Sequence, residues 1–223
     1  MNELLIFIEI AVVFSAVVLV GRFFGKAGLI GWIGIASILA NIMTAKNVDA
    51  FGMTVTLGTV LFASTFLTTD ILTENYSADD AKKGVLFGAL STLCLIVSSQ
   101  IALLYIPSSI DYADGFMRGL FTLNLRISIS SLIMYLIANL ADVFIYEKMR
   151  QKMGGKKMWL RNNVATILCN TLENFFFMGM AFYGIYEATD IIVMAVSASV
   201  IEVIAGVCDT PFLYIAAGRK KVQ

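Results

Sequence analysis

The sequence has 223 residues with 16 Lys and Arg, 16 Asp and Glu and no His, so its formal net charge is zero. Hydrophobic residues make up 59% of the chain and charged residues 14%, whereas a soluble domain carries roughly 25% charged residues. This composition excludes a soluble globular domain. Without a basic excess we expect no nucleic-acid partner, and without His we expect no His-ligated metal and no imidazole catalysis.

Seven apolar blocks follow one another along the chain, each close to the ~20 residues that a helix needs to cross a bilayer. They lie near 4–20, 29–45, 51–72, 84–106, 119–146, 162–186 and 190–217. The first block begins with Asn2 and Glu3 rather than basic residues, and Glu9 interrupts it, so we interpret it as a retained span and not as a signal peptide. The fold prediction is an all-α, polytopic integral membrane protein with seven transmembrane helices in the lipid bilayer.

The Lys and Arg residues of the connecting segments predict the orientation, because basic segments resist translocation. With the N-terminus outside and the C-terminus cytoplasmic, 13 of the 16 basic residues fall on the cytoplasmic side, and the outer loops keep Lys46 and Arg118. The connections are short, so residues 1–223 are expected to form a single membrane domain. The basic loop from Glu147 to Arg161 is interpreted as a cytoplasmic topology anchor.

Polar residues inside the predicted spans are the candidates for function, because ionisable groups in hydrocarbon cost at least ~2.5 kcal/mol each at a helix centre. Glu173 and Glu202 lie near the middle of the sixth and seventh spans. Asn170, Glu173, Asn174 and Phe177 recur at steps of three and four residues, which places them on one helix face. The predicted site therefore combines carboxylates, amides and an aromatic ring.

The fifth and seventh spans carry similar polar faces. Tyr135, Asn139, Asp142 and Tyr146 recur at helical spacing in the fifth span, and Asp209 follows Glu202 by two helical turns in the seventh. Pro211 is expected to interrupt the seventh helix after Asp209 and Thr210, and the alternative is a simple kink.

Arg126 is interpreted as the one basic residue deep in a span, so it can neutralise at most one of the buried acids. A carboxylate flanked by amides and aromatic faces suits the donor edge of a guanine-like heterocycle. The alternative is that these polar side chains serve to hold the helices together.

Four segments resemble the queuosine-precursor transporters, also called the vitamin uptake transporter family. They are FLTTDILTENY at 66–76, LADVFIYEKMRQK at 140–152, MWLRNNVATILCNTLENFFFMGMAF at 158–182 and DTPFLYIA at 209–216. The resemblance implies a six-helix core at 29–217, an additional N-terminal helix and loop at 1–28, and a basic cytoplasmic tail at 218–223. It also implies uptake of a 7-deazaguanine precursor of queuosine across a bacterial cytoplasmic membrane.

Residues carried over from this resemblance are Thr69, Asp70 and Glu74 in the third span, Asp142 in the fifth and Asn170 in the sixth. The chain departs from the family where Glu173 and Asn174 stand in place of the expected Asp and Thr, which leaves open the choice among precursor forms. With Asn41 from the second span, the predicted substrate-binding residues are Asn41, Thr69, Asp70, Glu74, Arg126, Asp142, Asn170, Glu173, Asn174, Phe177, Glu202 and Asp209.

The leading hypothesis is a carrier for this base, with no catalytic residue, no metal and no cofactor. The main alternative is a substrate-binding membrane subunit of an energised uptake complex. An intramembrane enzyme and a purely structural membrane protein are further alternatives. The sequence leaves open a homo-oligomer or an energising partner.

Overall fold

The computed structural model describes residues 1–121, 125–153 and 156–217, with the side chains of Thr54 and of residues 125–128 outside the described part. The chain is mostly helical. In chain order the elements are α1 (Asn2–Met43), β1 (Asn47–Ala50), β2 (Met53–Thr56), α2 (Thr59–Asn75), α3 (Ala78–Leu104), α4 (Asp114–Phe121), α5 (Leu125–Met153), α6 (Met158–Phe182) and α7 (Ala188–Ala217). The predicted basic tail at 218–223 lies outside the described residues.

Helix α1 doubles back on itself at Gly25, which has φ 59° and ψ −145°. A straight helix of its 42 residues would be about 63 Å long. Instead, the Asn2 side chain donates a hydrogen bond of 2.8 Å to the carbonyl of Asp49, just beyond the other end of α1, and the Phe7 ring packs edge-on against Phe51. The first two apolar blocks thus form two antiparallel arms, and the bundle has a Gly25 end and an opposite end.

A β-hairpin lies at this opposite end and replaces the first turns of the predicted third helix. Strands β1 and β2 pair antiparallel, with Asn47 opposite Thr56 and Ala50 opposite Met53. The connecting residues Phe51 and Gly52 have φ of 54° and 72°, as a two-residue type I′ turn requires. The prediction of a continuous span over 51–72 is therefore wrong at its start. We call this side of the molecule the hairpin end.

Helix α2 occupies the centre of the bundle and packs against α1, α3, α5 and α7. From Thr59 to Thr73 all residues except Phe62 are buried. Its many hydroxyls donate to carbonyls of their own helix, as Thr68 does to Ser64 and Thr73 to Thr69. A helix enclosed by protein can carry such a polar sequence, because it has no face exposed to lipid.

Five helices of the described residues are long and apolar enough to cross a membrane, namely α1, α3, α5, α6 and α7. They confirm the prediction of an α-helical, multi-pass membrane protein. The predicted seven spans do not appear as seven separate helices, because the first two belong to α1 and α2 is a shorter, polar helix of 17 residues.

Three further boundaries differ from the sequence prediction. The predicted fifth span began at residue 119, but 114–121 form the short helix α4, and α5 continues to Met153. The Gln100 side chain of α3 donates to the Phe121 carbonyl at the end of α4, and the Arg118 side chain of α4 donates to the Leu103 carbonyl of α3. These two hydrogen bonds fix α4 beside α3. Helix α7 continues through Pro211, so the predicted interruption is wrong.

Candidate functional site

Helix α6 presents one polar face to the interior of the bundle. Asn162, Thr166, Asn170 and Glu173 are all buried and follow one another at steps of three and four residues. This face extends about 16 Å along the helix axis. It runs from near the Gly25 end to the middle of the bundle and contacts polar side chains of α5 and α7 on the way.

The end of this face that lies in the middle of the bundle forms the first of two polar groups, which we call the Glu173–Glu202 group. It consists of Asn170, Glu173 and Asn174 of α6 with Ser199 and Glu202 of α7. The Asn174 amide donates to Glu202 Oε2 at 2.6 Å and reaches Ser199 Oγ at 3.4 Å. Glu173 and Glu202 interact electrostatically, so the two helices bring these carboxylates together.

Several polar atoms of this group have no hydrogen-bond partner among the described residues. They are Glu173 Oε2 and both amide atoms of Asn170, which is 1% exposed. A buried polar group without a partner costs about 1–3 kcal/mol. A ligand that offers N–H donors to the carboxylate and an acceptor to the amide would remove this cost.

Three aspartates from three helices form the second group, the aspartate group, closer to the Gly25 end. Asp70 comes from α2, Asp142 from α5 and Asp209 from α7, and each is at most 1% exposed. Asp70 interacts electrostatically with the other two. Two residues of the α6 face contact the group, since Asn162 donates to Asp209 Oδ1 at 2.6 Å and Thr166 to Asp142 Oδ1 at 3.4 Å.

An ion pair lies beside the aspartate group. The fully buried Arg161 donates from Nη2 to Glu74 Oε2 and from Nη1 to the Lys156 carbonyl, and its guanidinium stacks 5.1 Å from the Tyr146 ring. Arg150 approaches the same Glu74 carboxylate, with Nε 3.7 Å from Oε2. The interior therefore contains a paired cation as well as acids.

Sequence reasoning missed the position of Arg161, which it placed in the cytoplasmic loop. The structure shows this side chain fully buried in the first turn of α6. Arg161 pairs with Glu74 near the Gly25 end of the bundle. The interpretation of Arg126 as the one basic residue deep in a span stays a prediction, because its side chain lies outside the described residues. In the sequence Arg161 follows several other Lys and Arg residues at the start of a helix. No feature of the sequence there distinguishes this buried arginine from its solvated neighbours.

The structure buries the whole polar face predicted on the fifth span, whereas Phe177 of the face predicted on the sixth span is only half-buried. Tyr135, Asn139, Asp142 and Tyr146 are all buried, as expected for one inward face of α5. Phe177 is half-buried and packs its ring against Phe182, one turn beyond Asn174 toward the hairpin end.

Of three other predicted binding residues, two donate hydrogen bonds within their own helices and one lies outside the described part. The Thr69 hydroxyl is buried but donates to the Phe66 carbonyl of its own helix. Asn41 is exposed, and its amide donates to the Ser37 carbonyl one turn earlier. The Arg126 side chain lies outside the described residues. The structure thus brings together the predicted residues of α2, α5, α6 and α7, and leaves Asn41 at the periphery.

Comparison with known proteins gives one family and two relatives. Residues 56–216 match the family model described as "Putative vitamin uptake transporter". The chain is 33% identical over 204 residues to a "Probable queuosine precursor transporter" of Bacillus subtilis (strain 168), which covers 91% of this chain and 89% of the relative. It is 30% identical over 129 residues to a protein of the same name from Haemophilus influenzae, covering 57% of this chain and 52% of that relative.

No solved structure matches the chain significantly. The family and both relatives carry transport names, which confirms the prediction of a transporter and not an enzyme.

Proposed function

Because the chain belongs to the vitamin uptake transporter family, we propose that it takes up a 7-deazaguanine precursor of queuosine across the bacterial cytoplasmic membrane. The names of both relatives support this substrate class. The polar atoms without a partner in the Glu173–Glu202 group indicate which atoms would bind this substrate.

The chemistry of a 7-deazaguanine base fits this group. Its ring N–H and its exocyclic amino group point two parallel donors at one carboxylate, which the two oxygens of Glu173 can accept. Its ring carbonyl is an acceptor for the Asn170 amide, which has no partner among the described residues. Asn174, bonded to Glu202 at 2.6 Å, holds the second carboxylate beside the first.

The proposed contacts predict how the site discriminates between bases. A purine analogue without the exocyclic amino group leaves one Glu173 oxygen unpaired in a buried site, at a cost of about 1–3 kcal/mol. We therefore propose that the carrier prefers bases with the guanine donor edge by about 5- to 150-fold. The substituent on the five-membered ring lies on the opposite side of the base, so this edge is common to the cyano, aminomethyl and queuine forms.

We further propose seven membrane crossings, with the N-terminus and the hairpin outside and the Gly25 end in the cytoplasm. The distribution of basic residues supports this orientation. The reversal at Gly25 supports two crossings by α1, and the central position of α2 supports one more. In this arrangement residues 1–28 add one crossing to a six-helix unit at 29–217.

The cellular test measures the queuosine content of tRNA in a bacterial strain that lacks precursor synthesis and its own importer. At limiting external precursor, expression of the chain should restore queuosine. Correctly inserted protein that restores none would contradict the proposed substrate, and the set of precursors that work defines the specificity.

The residue-level test compares Glu173→Gln with Glu187→Gln, the same change at an exposed position between α6 and α7. Loss of a charge-assisted hydrogen bond costs about 1.5–3 kcal/mol, so Glu173→Gln should lower uptake efficiency by about 10- to 150-fold. Glu187→Gln should transport normally. Normal uptake by correctly inserted Glu173→Gln would contradict the assignment of Glu173 to the base-binding site.

A purified chain in liposomes separates this carrier from the alternative of a subunit in an energised complex. Exchange of internal for external base by the chain alone supports a self-contained carrier. No exchange by folded protein, with exchange restored by a membrane extract, would favour the alternative.

A further inference from the structure

The aspartate group has features that base recognition does not use. Asp70, Asp142 and Asp209 come from three different helices, and all lie enclosed in the bundle. Their partners differ, because Asp209 accepts a short hydrogen bond from Asn162 and Asp142 a long one from Thr166. Asp70 is fully buried and neither of its oxygens has a hydrogen-bond partner among the described residues.

The described cations nearby are already engaged with other acids. Arg161 donates to Glu74, and Arg150 contacts both Glu74 and Glu147. Toward α1 and α3, Lys26 and Asp80 pair with each other at 3.2 Å.

Titratable and charged groups of four helices surround Asp70. They are Glu74 of α2, Asp142 and Tyr146 of α5, Arg161 and Cys169 of α6 and Asp209 of α7. Acids outnumber cations in this set, and Arg161 already serves Glu74. An ionised carboxylate in such surroundings lacks both a counter-charge and hydrogen bonds, whereas a protonated carboxyl group is neutral and can donate a hydrogen bond itself.

We propose that Asp70 is the proton-binding coupling residue of this carrier, so that each base enters together with a proton. This inference rests on the proposed function. Asp70 binds a proton from the outer solution and stays a neutral carboxyl group while the site is closed to both sides. It releases the proton to the cytoplasm when the Gly25 end opens. The proton gradient across the membrane supplies the driving force, and no covalent bond to the protein other than this O–H bond changes.

The α6 face provides the physical connection between proton and base. Thr166 contacts the aspartate group, Asn170 follows one turn later, and Glu173 belongs to the base-binding group. Cys169 interacts electrostatically with Asp70, Asp142 and Glu173, and it lies between Thr166 and Glu173, so both groups act on the same two turns of this helix. A change of charge at Asp70 therefore acts on the same helix segment that holds the base.

The test uses purified chain in liposomes and compares Asp70→Asn with Asp190→Asn, the same change at an exposed position at the start of α7. One assay measures exchange of labelled base at equal pH on both sides. The other measures accumulation of base driven by an inward proton gradient, with a pH-sensitive dye inside the vesicles. Coupling is the ratio of accumulation to exchange.

Wild type and Asp190→Asn should acidify the vesicle interior as base enters, and Asp70→Asn should lower the ratio at least about tenfold. Asp70→Glu, which keeps a titratable carboxyl group, should recover part of the ratio. The infrared band of a protonated carboxyl group in purified wild type should weaken in Asp70→Asn even without substrate.

Different results overturn the inference in distinguishable ways. If Asp70→Asn keeps the wild-type ratio, or accumulation follows a sodium gradient and ignores the proton gradient, Asp70 is not the coupling residue although the proposed function stands. If Asp70→Asn loses exchange and accumulation equally, it belongs to the base site. If folded wild type exchanges no 7-deazaguanine base, either alone or with a membrane extract, the proposed function fails and this inference with it.

Discussion

The Glu173–Glu202 group and the aspartate group both place carboxylates inside the helix bundle, but they hold them differently. Glu173 and Glu202 are 9% and 7% exposed, and Glu202 accepts a hydrogen bond from the Asn174 amide of its own group. Asp70 and Asp142 are fully buried. Beside them, the ion pair of Arg161 and Glu74 connects the start of α6 to the end of α2. A small ligand can therefore reach the Glu173–Glu202 group more easily than the aspartate group. The aspartate group is enclosed and can take up a proton without room for a larger ligand.

The ion pair beside the aspartate group should contribute the largest stabilisation of the two regions. Arg161→Gln removes the cation and leaves Glu74 without its main partner, in a position that is 17% exposed. Breaking a buried ion pair costs about 3–5 kcal/mol, and the partial exposure of Glu74 favours the lower end of this range. Thermal unfolding of the purified protein in detergent, with Tm and unfolding enthalpy, measures the loss.

The matched control is Lys82→Gln, which removes an exposed ion pair with Asp79. An exposed pair contributes about 0–1 kcal/mol, so this variant should unfold close to wild type. Equal stability of the two variants would mean that the Arg161–Glu74 contact does not hold α2 and α6 together.

A smaller effect is expected where the α6 face contacts the aspartate group. Thr166→Val keeps the side-chain shape and removes the hydroxyl that donates to Asp142 at 3.4 Å. Such a hydrogen bond contributes about 0.5–1.5 kcal/mol, so we expect a loss of about 1 kcal/mol in the free energy of unfolding. Thr166→Ser keeps the donor and should recover most of it, and a Val variant as stable as wild type would contradict a closed contact here.

The sequence predicted the parts of this architecture that depend on hydropathy and helical spacing. Long apolar blocks defined most helices, and the spacing of Asn170, Glu173 and Asn174 predicted one face. The apolar blocks at 4–20 and 29–45 predicted two antiparallel spans, but hydropathy could not show that Gly25 is the residue at which the chain reverses, because a reversal at one residue leaves no polar loop to mark it. It also extended the third span over the hairpin, since the alternating residues 51–56 are as apolar as a helix end.

The charged residues show a second limit of the sequence. Arg161 was assigned to a basic loop, because charge count alone does not distinguish a cation in solvent from one that pairs with an acid of another helix. That pairing depends on the contact between the end of α2 and the start of α6, which are 87 residues apart at Glu74 and Arg161. Tertiary contacts of this kind determine which acids are free to bind a ligand or a proton.

The smallest effect is expected at Asn41, which was predicted from the sequence to bind substrate. Its side chain is exposed, and its amide donates to the Ser37 carbonyl of its own helix. Asn41→Ala should change the free energy of unfolding by no more than about 0.5 kcal/mol, as for other surface positions. Its uptake of base should match wild type in the same liposome assay that separates Glu173→Gln from Glu187→Gln. A strong, specific loss of uptake in folded Asn41→Ala would show that the pathway for the base extends to the α1 arm, and would break the assignment of the site to α6 and α7.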